Sequence, residues 1–445
     1  MSERHTSLPQ PDSLAQPASL ARPAADRYPT RYGTRLGPGA FTFTFDGHEY
    51  CAREGDTAAS ALLAHGVRWF GRSVKSRRLR GVFTGGADEP CALLTVGIAP
   101  DVVPNVPATQ LVLQPGMVLR SQNRWPSLRY DVASLLQAGG GLFTAGFYYK
   151  TFFLPSWRTF EPIIRRLAGL GYAPGAPAAR EADNATPPEI HDVPAEEHVQ
   201  VEVLVIGAGP AGMAAAMDAV RSGQNVVLCE REPVTGGELE FEDAVIDGQP
   251  SHEWMKAIVT RYGNSQRAAR PAPGARRAAA AAPAVGSLRV LLGTVVVAES
   301  GGEVLAYSTP HSGVVPPRLF RIRAGRVVNA VGALEQPIVF VGNDLPGVML
   351  LGGAERFTSR YGVLPQGPTV LFGNHDRLYA SALRLRGCGA DIRAIVDTRV
   401  SVREEEWCAA AIALLEAVGV QCLAGSMVAE ALGAREVVGV RVVPA

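Results

Sequence analysis

Residues 201–212, VEVLVIGAGPAG, decide the fold of this chain. Six residues rich in β-branched side chains predict a buried strand, and glycines follow it directly in the pattern G-x-G-x-x-G ahead of an alanine-rich helical stretch. Gly207 permits the tight turn, Gly209 lets the backbone approach a pyrophosphate, and Gly212 allows the helix to pack closely on the strand. The phosphates would lie at the positive N-terminus of that helix. The stretch therefore predicts a dinucleotide site in a Rossmann-type α/β domain.

A second strand after this helix supports the interpretation. Residues 225–229, NVVLC, lead into Glu230, which stands 18 residues after Gly212, close to the spacing of the acid that bonds ribose hydroxyls. A carboxylate at this place repels a 2′-phosphate, so we expect FAD or NAD and not NADP. The predicted cofactor-binding residues, which include glycines at two later turns, are Gly207, Gly209, Pro210, Ala211, Gly212, Glu230, Arg231, Gly236, Gly237 and Gly332.

The N-terminal region predicts a second kind of domain. Residues 41–50, FTFTFDGHEY, alternate on either side of an Asp-Gly turn and predict a β-hairpin. A helix is expected to start at Asp56-Thr57 and to end near Gly66. Hairpin, helix and the arginine-rich segment 71–81 resemble the β-grasp fold of plant-type [2Fe–2S] ferredoxins.

That ferredoxin family binds its cluster with a C-x4-C-x2-C loop, because each iron needs thiolate ligands at fixed spacing. In this chain the corresponding positions hold Thr84, Glu89 and Ala92, and Cys91 is out of register. One thiolate does not hold a cluster, so we expect a β-grasp domain without an iron–sulfur cluster.

Residues 369–397 predict a further β-α-β unit with a degenerate glycine pattern. Strand 369–373 runs into a turn with His375 and Asp376, where small residues would be wanted, and Asp397 ends the next strand. A degenerate fingerprint marks either a nucleotide site or a fold that has lost its ligand. Both readings stay open. His375 and Asp376 are either polar loop residues or part of a site for another ligand, and we do not assign them a catalytic role.

The chain is expected to contain five regions: a disordered tail at 1–36, a β-grasp domain at 37–105, an aromatic-rich connector and linker at 106–198, an FAD/NAD-binding Rossmann-type domain at 199–365, and a second, degenerate nucleotide-binding Rossmann-type domain at 366–445. The aromatic residues of the connector, in segments 121–127 and 146–157, are either a packed core or a docking surface for another subunit. Residues 266–285, dominated by Ala, Arg and Pro, are expected to form a loop.

Composition excludes several functional classes. The 445 residues are 47% hydrophobic and 19% charged with a net charge of +1, which predicts a soluble globular protein without a nucleic-acid or membrane partner. The first thirty residues contain no apolar signal-peptide core, and no apolar run is long enough for a membrane span, so we expect a cytoplasmic protein. The six cysteines are scattered without a C-x-x-C pair, which predicts neither a metal site nor a dithiol centre.

Several segments together resemble the alpha subunit of heterotetrameric sarcosine oxidase, with related subunits in hydrogen cyanide synthase, opine oxidase and multi-subunit proline dehydrogenase. They are GRSVK at 71–75, SQNRWPS at 121–127, GFYYK at 146–150, the glycines at 207–212, and GALEQP at 332–337 through GNDLPGVM at 342–349. Residues 326–333 resemble the Ala-Thr-Gly strand and turn of two-dinucleotide-binding flavoproteins, with Val331 in place of Thr.

The resemblance implies an oxidoreductase acting on CH-NH groups of a small amine or amino acid. In that family the alpha subunit binds NAD, substrate is oxidised at FAD in a beta subunit, and FMN lies between the two. We therefore expect a beta-like flavoprotein partner, FMN shared with it, and no catalytic residue that can be assigned in this chain. The folate-binding domain of the family has no counterpart before Ala445, so formaldehyde transfer to tetrahydrofolate is not expected. Two alternatives are a non-catalytic dinucleotide-binding assembly module or fragment, and a free-standing FAD/NAD-dependent reductase.

Overall fold

A computed structural model describes residues 31–73, 76–97, 102–132, 134–135, 156–161, 195–242, 244–262, 286–308 and 317–445. Contacts divide the chain into two units, Met1–Asn184 with Glu335–Ala445 and Ala185–Leu334. The predicted tail up to residue 30, most of the connector and linker, and the predicted loop at 266–285 lie outside the described residues. The predicted domain limits stay predictions.

The first unit begins with a five-stranded sheet in the order β2-β1-β7-β5-β6. Its elements are β1 (Ala40–Phe45), β2 (His48–Arg53), α1 (Ala58–Ala64), β3 (Gly71–Arg72), β4 (Leu79–Arg80), β5 (Leu93–Val96), β6 (Val103–Pro107) and β7 (Val118–Ser121). The short strands β3 and β4 pair only with each other among the described strands.

The predicted hairpin and helix of this sheet are confirmed. Asp46 and Gly47 turn with φ values of 50° and 83°, and positive φ at both central residues is what a two-residue turn between twisted strands requires. Thr57 caps α1 in a capping box with Ser60. Helix α1 thus starts where the Asp-Thr pair predicted.

The second unit is built on a six-stranded sheet in the order β12-β9-β8-β15-β14-β13. The first four strands in this order are parallel, and β14 and β13 are added antiparallel. The elements are β8 (Ala195–Ile206), α2 (Pro210–Arg221), β9 (Val226–Cys229), β10 (Val245–Ile246), β11 (Gln249–Pro250), α3 (Ser251–Tyr262), β12 (Leu288–Leu291), β13 (Thr294–Ser300), β14 (Glu303–Ser308) and β15 (Arg318–Asn329), with a 3-10 turn at Gly237–Glu240. The predicted Rossmann-type α/β fold is confirmed.

Later segments return to the first unit. They are α4 (Leu351–Tyr361), β16 (Thr369–Gly373), α5 (Arg377–Gly387), β17 (Ile392–Asp397), α6 (Glu406–Ala417), β18 (Gln421–Leu423), β19 (Ser426–Leu432) and β20 (Gly439–Pro444). Strands β16, β17 and β18 form a parallel sheet, which confirms the predicted β-α-β unit. The sheet β2-β1-β7-β5-β6 is called the ferredoxin-like sheet below. Phe357 and Tyr361 of α4 lie in the same hydrophobic core as the buried residues of this sheet. None of the described helices has the length and apolar character needed to cross a membrane.

Candidate functional site

Three parallel strands of the second unit end side by side. The register pairs Ile206 of β8 with Cys229 of β9 and with Asn329 of β15. The N–H of Gly207 donates to the Cys229 carbonyl at 2.8 Å, and the N–H of Ala330 donates to the Ile206 carbonyl at 2.8 Å. The glycine turn after β8 therefore lies at the carboxyl edge of the sheet, between two neighbouring strands, which is where open α/β sheets bind ligands.

Two glycines of the turn are required by the packing of the protein itself. Gly207 has φ +98°, and a Cβ there would lie 2.3 Å from the Ala330 carbonyl oxygen. A Cβ on Gly212 would lie 1.9 Å from the Gly207 carbonyl oxygen. Larger residues at these positions would push the helix away from the strand.

Gly209 differs from both, because a Cβ there would meet no described atom within 4 Å. Gly209 is also the N-cap of α2, and no side chain caps the helix at this point. Pro210 and Ala211 behind it are exposed. Pro210 has no N–H, so the first N–H groups of α2 belong to Ala211 and Gly212, and no side chain caps them, as a pyrophosphate site requires. The residues present fit a dinucleotide.

Glu230 is held against this turn. Its Oε2 accepts the N–H of Ala208 at 2.6 Å, and its Oε1 accepts the N–H of Glu232 at 2.8 Å. Each carboxylate oxygen has capacity for a further hydrogen bond, so ribose hydroxyls can donate to the same group. Arg231 next to it is exposed.

The later glycines approach the same turn. The N–H of Gly236 donates to the Ala208 carbonyl at 2.8 Å, and a Cβ on Gly237 would lie 3.2 Å from the Cα of Gly209. Gly332 has φ +73° and open space around its missing side chain among the described atoms. Gly236 and Gly237 thus lie beside the turn, whereas Gly332 comes three residues after β15 and Arg231 points to solvent.

The second β-α-β unit has a different arrangement at its strand end. Asp397 is fully buried, and its oxygens accept the Tyr379 hydroxyl at 3.1 Å and the Arg399 Nη2 at 2.8 Å. Arg399 also donates through Nη1 to Asp376 on the turn at 2.6 Å. The hydrogen bond to Asp397 raises the pKa of Arg399, and the hydrogen bond from Arg399 lowers the pKa of Asp376.

Arg399 therefore pairs with both carboxylates that could meet a nucleotide at this turn. Asp397, the predicted ribose acid, has both oxygens engaged within the protein. The sequence interpretation missed Arg399, although an arginine two residues after a strand-end acid is a visible signal. The geometry favours the reading of a fold that has lost its nucleotide.

A carboxylate also organises the loop that corresponds to the ferredoxin cluster loop. Glu89 is 4% exposed. Its Oε2 accepts the N–H groups of Phe83 and Thr84, and its Oε1 accepts those of Cys91 and Ala92, at 2.6 to 2.8 Å. Burial raises the pKa of Glu89, and the four backbone hydrogen bonds oppose that rise. The sequence interpretation named Glu89 but did not foresee this role.

Family models match both parts of the chain. Residues 39–124 match the 2Fe-2S iron-sulfur cluster binding domain, and residues 202–310 match FAD dependent oxidoreductase. The fold and site thus define a mixed α/β protein with an FAD-dependent oxidoreductase domain behind an N-terminal ferredoxin-type domain.

Curated relatives make the resemblance specific. The chain is 39% identical to sarcosine oxidase subunit alpha of Rhizobium meliloti over 80% of its own length and 34% of the relative's length. It is 31% identical to the subunit of the same name from Corynebacterium sp. over 88% of the chain and 33% of the relative. The predicted resemblance to sarcosine oxidase alpha subunits is confirmed, and the chain spans about one third of the length of these relatives.

A solved structure supports the fold. L-proline dehydrogenase from P. horikoshii superposes with a TM-score of 0.50 at 20% identity, over 81% of this chain and 54% of that one. At this level of identity the likeness concerns the fold alone.

The prediction of a domain without an iron–sulfur cluster is wrong, because residues 39–124 match a 2Fe-2S cluster binding domain. The prediction weighed three positions of one loop, whereas a family model weighs the whole domain. The loop itself contributes one thiol, Cys91, and burial raises its pKa to about 11. A cluster needs several thiolates. The donors of this loop alone do not fit the group.

Proposed function

We propose that this chain is the dinucleotide-binding, alpha-like part of a flavin-dependent oxidoreductase of the sarcosine oxidase type, with FAD held at the turn 207–212. The observation that carries the proposal is the open face of Gly209 in front of an uncapped helix N-terminus. That arrangement suits a pyrophosphate. FAD is chosen because residues 202–310 match FAD dependent oxidoreductases.

Each part of the turn has a separate task in this proposal. The backbone N–H groups of Ala211 and Gly212 donate to the pyrophosphate, and Glu230 accepts ribose hydroxyls while it keeps its bond to Ala208. Gly237 keeps the neighbouring loop thin where it passes Gly209. Bound FAD supplies a redox-active isoalloxazine ring.

We also propose the reaction class and the partner. The reaction is oxidation of the CH-NH group of a small amine or amino acid, and the partner is a beta-like flavoprotein subunit that carries the catalytic flavin. Support comes from the similarity to sarcosine oxidase alpha subunits. Trp125 and Tyr130 are 64% and 67% exposed, and Arg129 lies over the Tyr130 ring at 5.6 Å. Exposed Trp, Tyr and Arg are typical of interface hot spots.

The first test identifies the bound molecule. The chain is expressed alone and together with a beta-like subunit, the protein is denatured, and released small molecules are identified by absorbance and mass. We expect about one FAD per chain bound to this polypeptide. Release of NAD in its place would keep the site and reject FAD. A chain that carries neither dinucleotide in both preparations rejects the proposed function.

The second test addresses the reaction. The complex is mixed anaerobically with sarcosine and other small secondary amines. Flavin reduction is measured as the loss of absorbance in the visible flavin band. Reduction by at least one of these amines is expected. A flavin that stays oxidised with all of them rejects the CH-NH assignment and leaves the dinucleotide site untouched.

An assembly module is the second candidate function. The second β-α-β unit favours it, because Arg399 there pairs with Asp376 on the turn and with Asp397 at the strand end. A chain that stabilises a flavin-bearing partner but releases no dinucleotide of its own would support this candidate over the first.

A further inference from the structure

A cavity of about 550 Å³ lies within residues 71–123 of the first unit. No Asp or Glu is among its lining residues in the described part of the chain. The lining residues that matter for its chemistry are Arg72, Arg80, Cys91, Asn105, Gln122 and Asn123.

The positive charge of Arg72 is incompletely balanced. Asp131 is bonded by Arg77 through Nε and Nη2 at 2.8 and 2.7 Å, whereas Arg72 Nε is 3.7 Å from the same carboxylate. The guanidinium of Arg72 donates instead to the carbonyls of Leu128 and Arg77. Burial lowers the pKa of Arg72; Asp131 opposes this, and Arg77 and Arg435 lower the pKa further. A buried cation in this position gains from an added anion.

Arg80 likewise shares its acid. Its Nη1 is 2.5 Å from Asp344, and Nη2 of Arg78 is 2.8 Å from the other oxygen of that carboxylate. Glu89, two residues before Cys91, accepts hydrogen bonds from four backbone N–H groups and does not line the cavity. Two guanidinium groups on one carboxylate leave a net positive charge beside the cavity.

The cavity wall also contains two asparagines with unusual backbone. Asn105 and Asn123 have φ values of 59° and 54°, and residues other than glycine with positive φ concentrate at functional sites. The Nδ2 of Asn123 donates to the Arg72 carbonyl at 2.9 Å, which fixes the orientation of the amide.

We propose that this cavity binds an oxyanion, the carboxylate or phosphate group of a small molecule, in the positive potential of Arg72 and Arg80. Guanidinium groups match both oxyanions in geometry and charge. The site lies in the first unit and does not depend on the proposed dinucleotide function.

The test measures saturable binding of inorganic phosphate and of acetate to the full chain. Equilibrium dialysis of labelled phosphate and of labelled acetate is run at constant ionic strength set with sodium chloride, so that general screening is the same in every sample. With FAD in excess to fill the turn 207–212, saturation by phosphate alone assigns a phosphate site to the cavity, and saturation by acetate alone assigns a carboxylate site. Absence of saturable binding of either ion overturns the proposal.

Matched variants separate the cavity from the surface charge. Arg78 and Arg80 share Asp344, but only Arg80 lines the cavity. Arg80→Met should weaken binding about tenfold or more, and Arg78→Met less than about threefold. Equal effects of the two substitutions overturn the proposal, because they indicate general charge and not a site.

Asp344→Asn provides a measurement of opposite sign in case Arg80→Met fails to fold. Removing the acid frees both arginines, so binding of the same ion should tighten several-fold. Circular dichroism reports whether each variant is folded. Unchanged or weaker binding by folded Asp344→Asn contradicts the proposal.

Discussion

Two glycines of one turn are glycine for different reasons. A Cβ on Gly212 would lie only 1.9 Å from the Gly207 carbonyl oxygen, whereas a Cβ on Gly209 would face open space among the described atoms. The first requirement comes from packing of helix on strand, and the second comes from whatever binds in front of the helix. Stability and cofactor affinity should therefore respond differently to substitution of the two residues.

Gly209→Ala should lower the free energy of unfolding by about 1 kcal/mol, because alanine is a poorer N-cap than glycine. FAD affinity should fall about tenfold or more, since the methyl group takes the place of the pyrophosphate. Gly212→Ala should destabilise the fold by about 3 kcal/mol through overpacking. Urea unfolding and FAD titration measure the two effects.

Gly387→Ala is the matched control. A Cβ on Gly387 also meets no described atom within 4 Å, and Gly387 ends a helix of the other unit. This substitution should leave FAD affinity unchanged. It should change the free energy of unfolding by no more than about 1 kcal/mol. If Gly209→Ala binds FAD as tightly as the unaltered chain, the turn is not the site.

At the level of elements, the chain uses the strand, turn and helix arrangement twice with opposite outcomes. After β8 the helix N-terminus has no side-chain cap, and each carboxylate oxygen of Glu230 can accept a further hydrogen bond. After β16 the turn acid Asp376 and the strand-end acid Asp397 are joined by Arg399. Neither helix N-terminus has a side-chain cap, but the strand-end acid can accept further hydrogen bonds in one unit and is paired with an arginine in the other.

Arg399→Ala should destabilise the fold by roughly 3 kcal/mol, because Asp397 is fully buried and keeps only the Tyr379 hydroxyl as a side-chain donor among described residues. Adding Asp397→Asn should recover about half of the loss, since the uncompensated charge disappears. Chemical denaturation of the single and double variants gives the coupling.

Arg403→Ala is the comparison for this cycle. Arg403 pairs with Glu416, and both side chains are largely solvent-exposed at 48% and 42%. The loss of stability should stay below about 1 kcal/mol. An effect as large as that of Arg399→Ala would show that the burial of Asp397 is not the cause.

At the level of the whole molecule, the two units should respond separately to the cofactor. The proposed dinucleotide residues lie in Ala185–Leu334, and the second β-α-β unit lies in Glu335–Ala445. FAD at one hundred times its dissociation constant should stabilise the unit that binds it by about 2.7 kcal/mol. Hydrogen exchange followed by mass spectrometry should show slower exchange in peptides 207–213 and 230–237.

Peptides covering 369–399 should exchange at the same rate with and without FAD, because the acids of that turn are already paired with Arg399. Protection confined to 369–399 would move the cofactor to the second β-α-β unit, in the first of the two units, and contradict the assignment. Protection of both would indicate two sites.

The sequence by itself determined the features that depend on neighbours along the chain. The Asp46-Gly47 turn, the Thr57 cap and the run from β8 into the glycines follow from local backbone rules, and the structure confirms each of them. The spacing of Glu230 after the glycines belongs to the same class, because one helix and one strand fix it.

Only the tertiary structure decided which charges meet across the fold. The bond between Arg399 and Asp376 joins residues 23 apart, and the packing of Phe357 against the ferredoxin-like sheet joins segments much farther apart. The four hydrogen bonds to Glu89 depend on how one loop folds around a buried carboxylate. Such contacts carry no periodic signal in the sequence, because burial and charge pairing are set by the whole core and not by local backbone geometry.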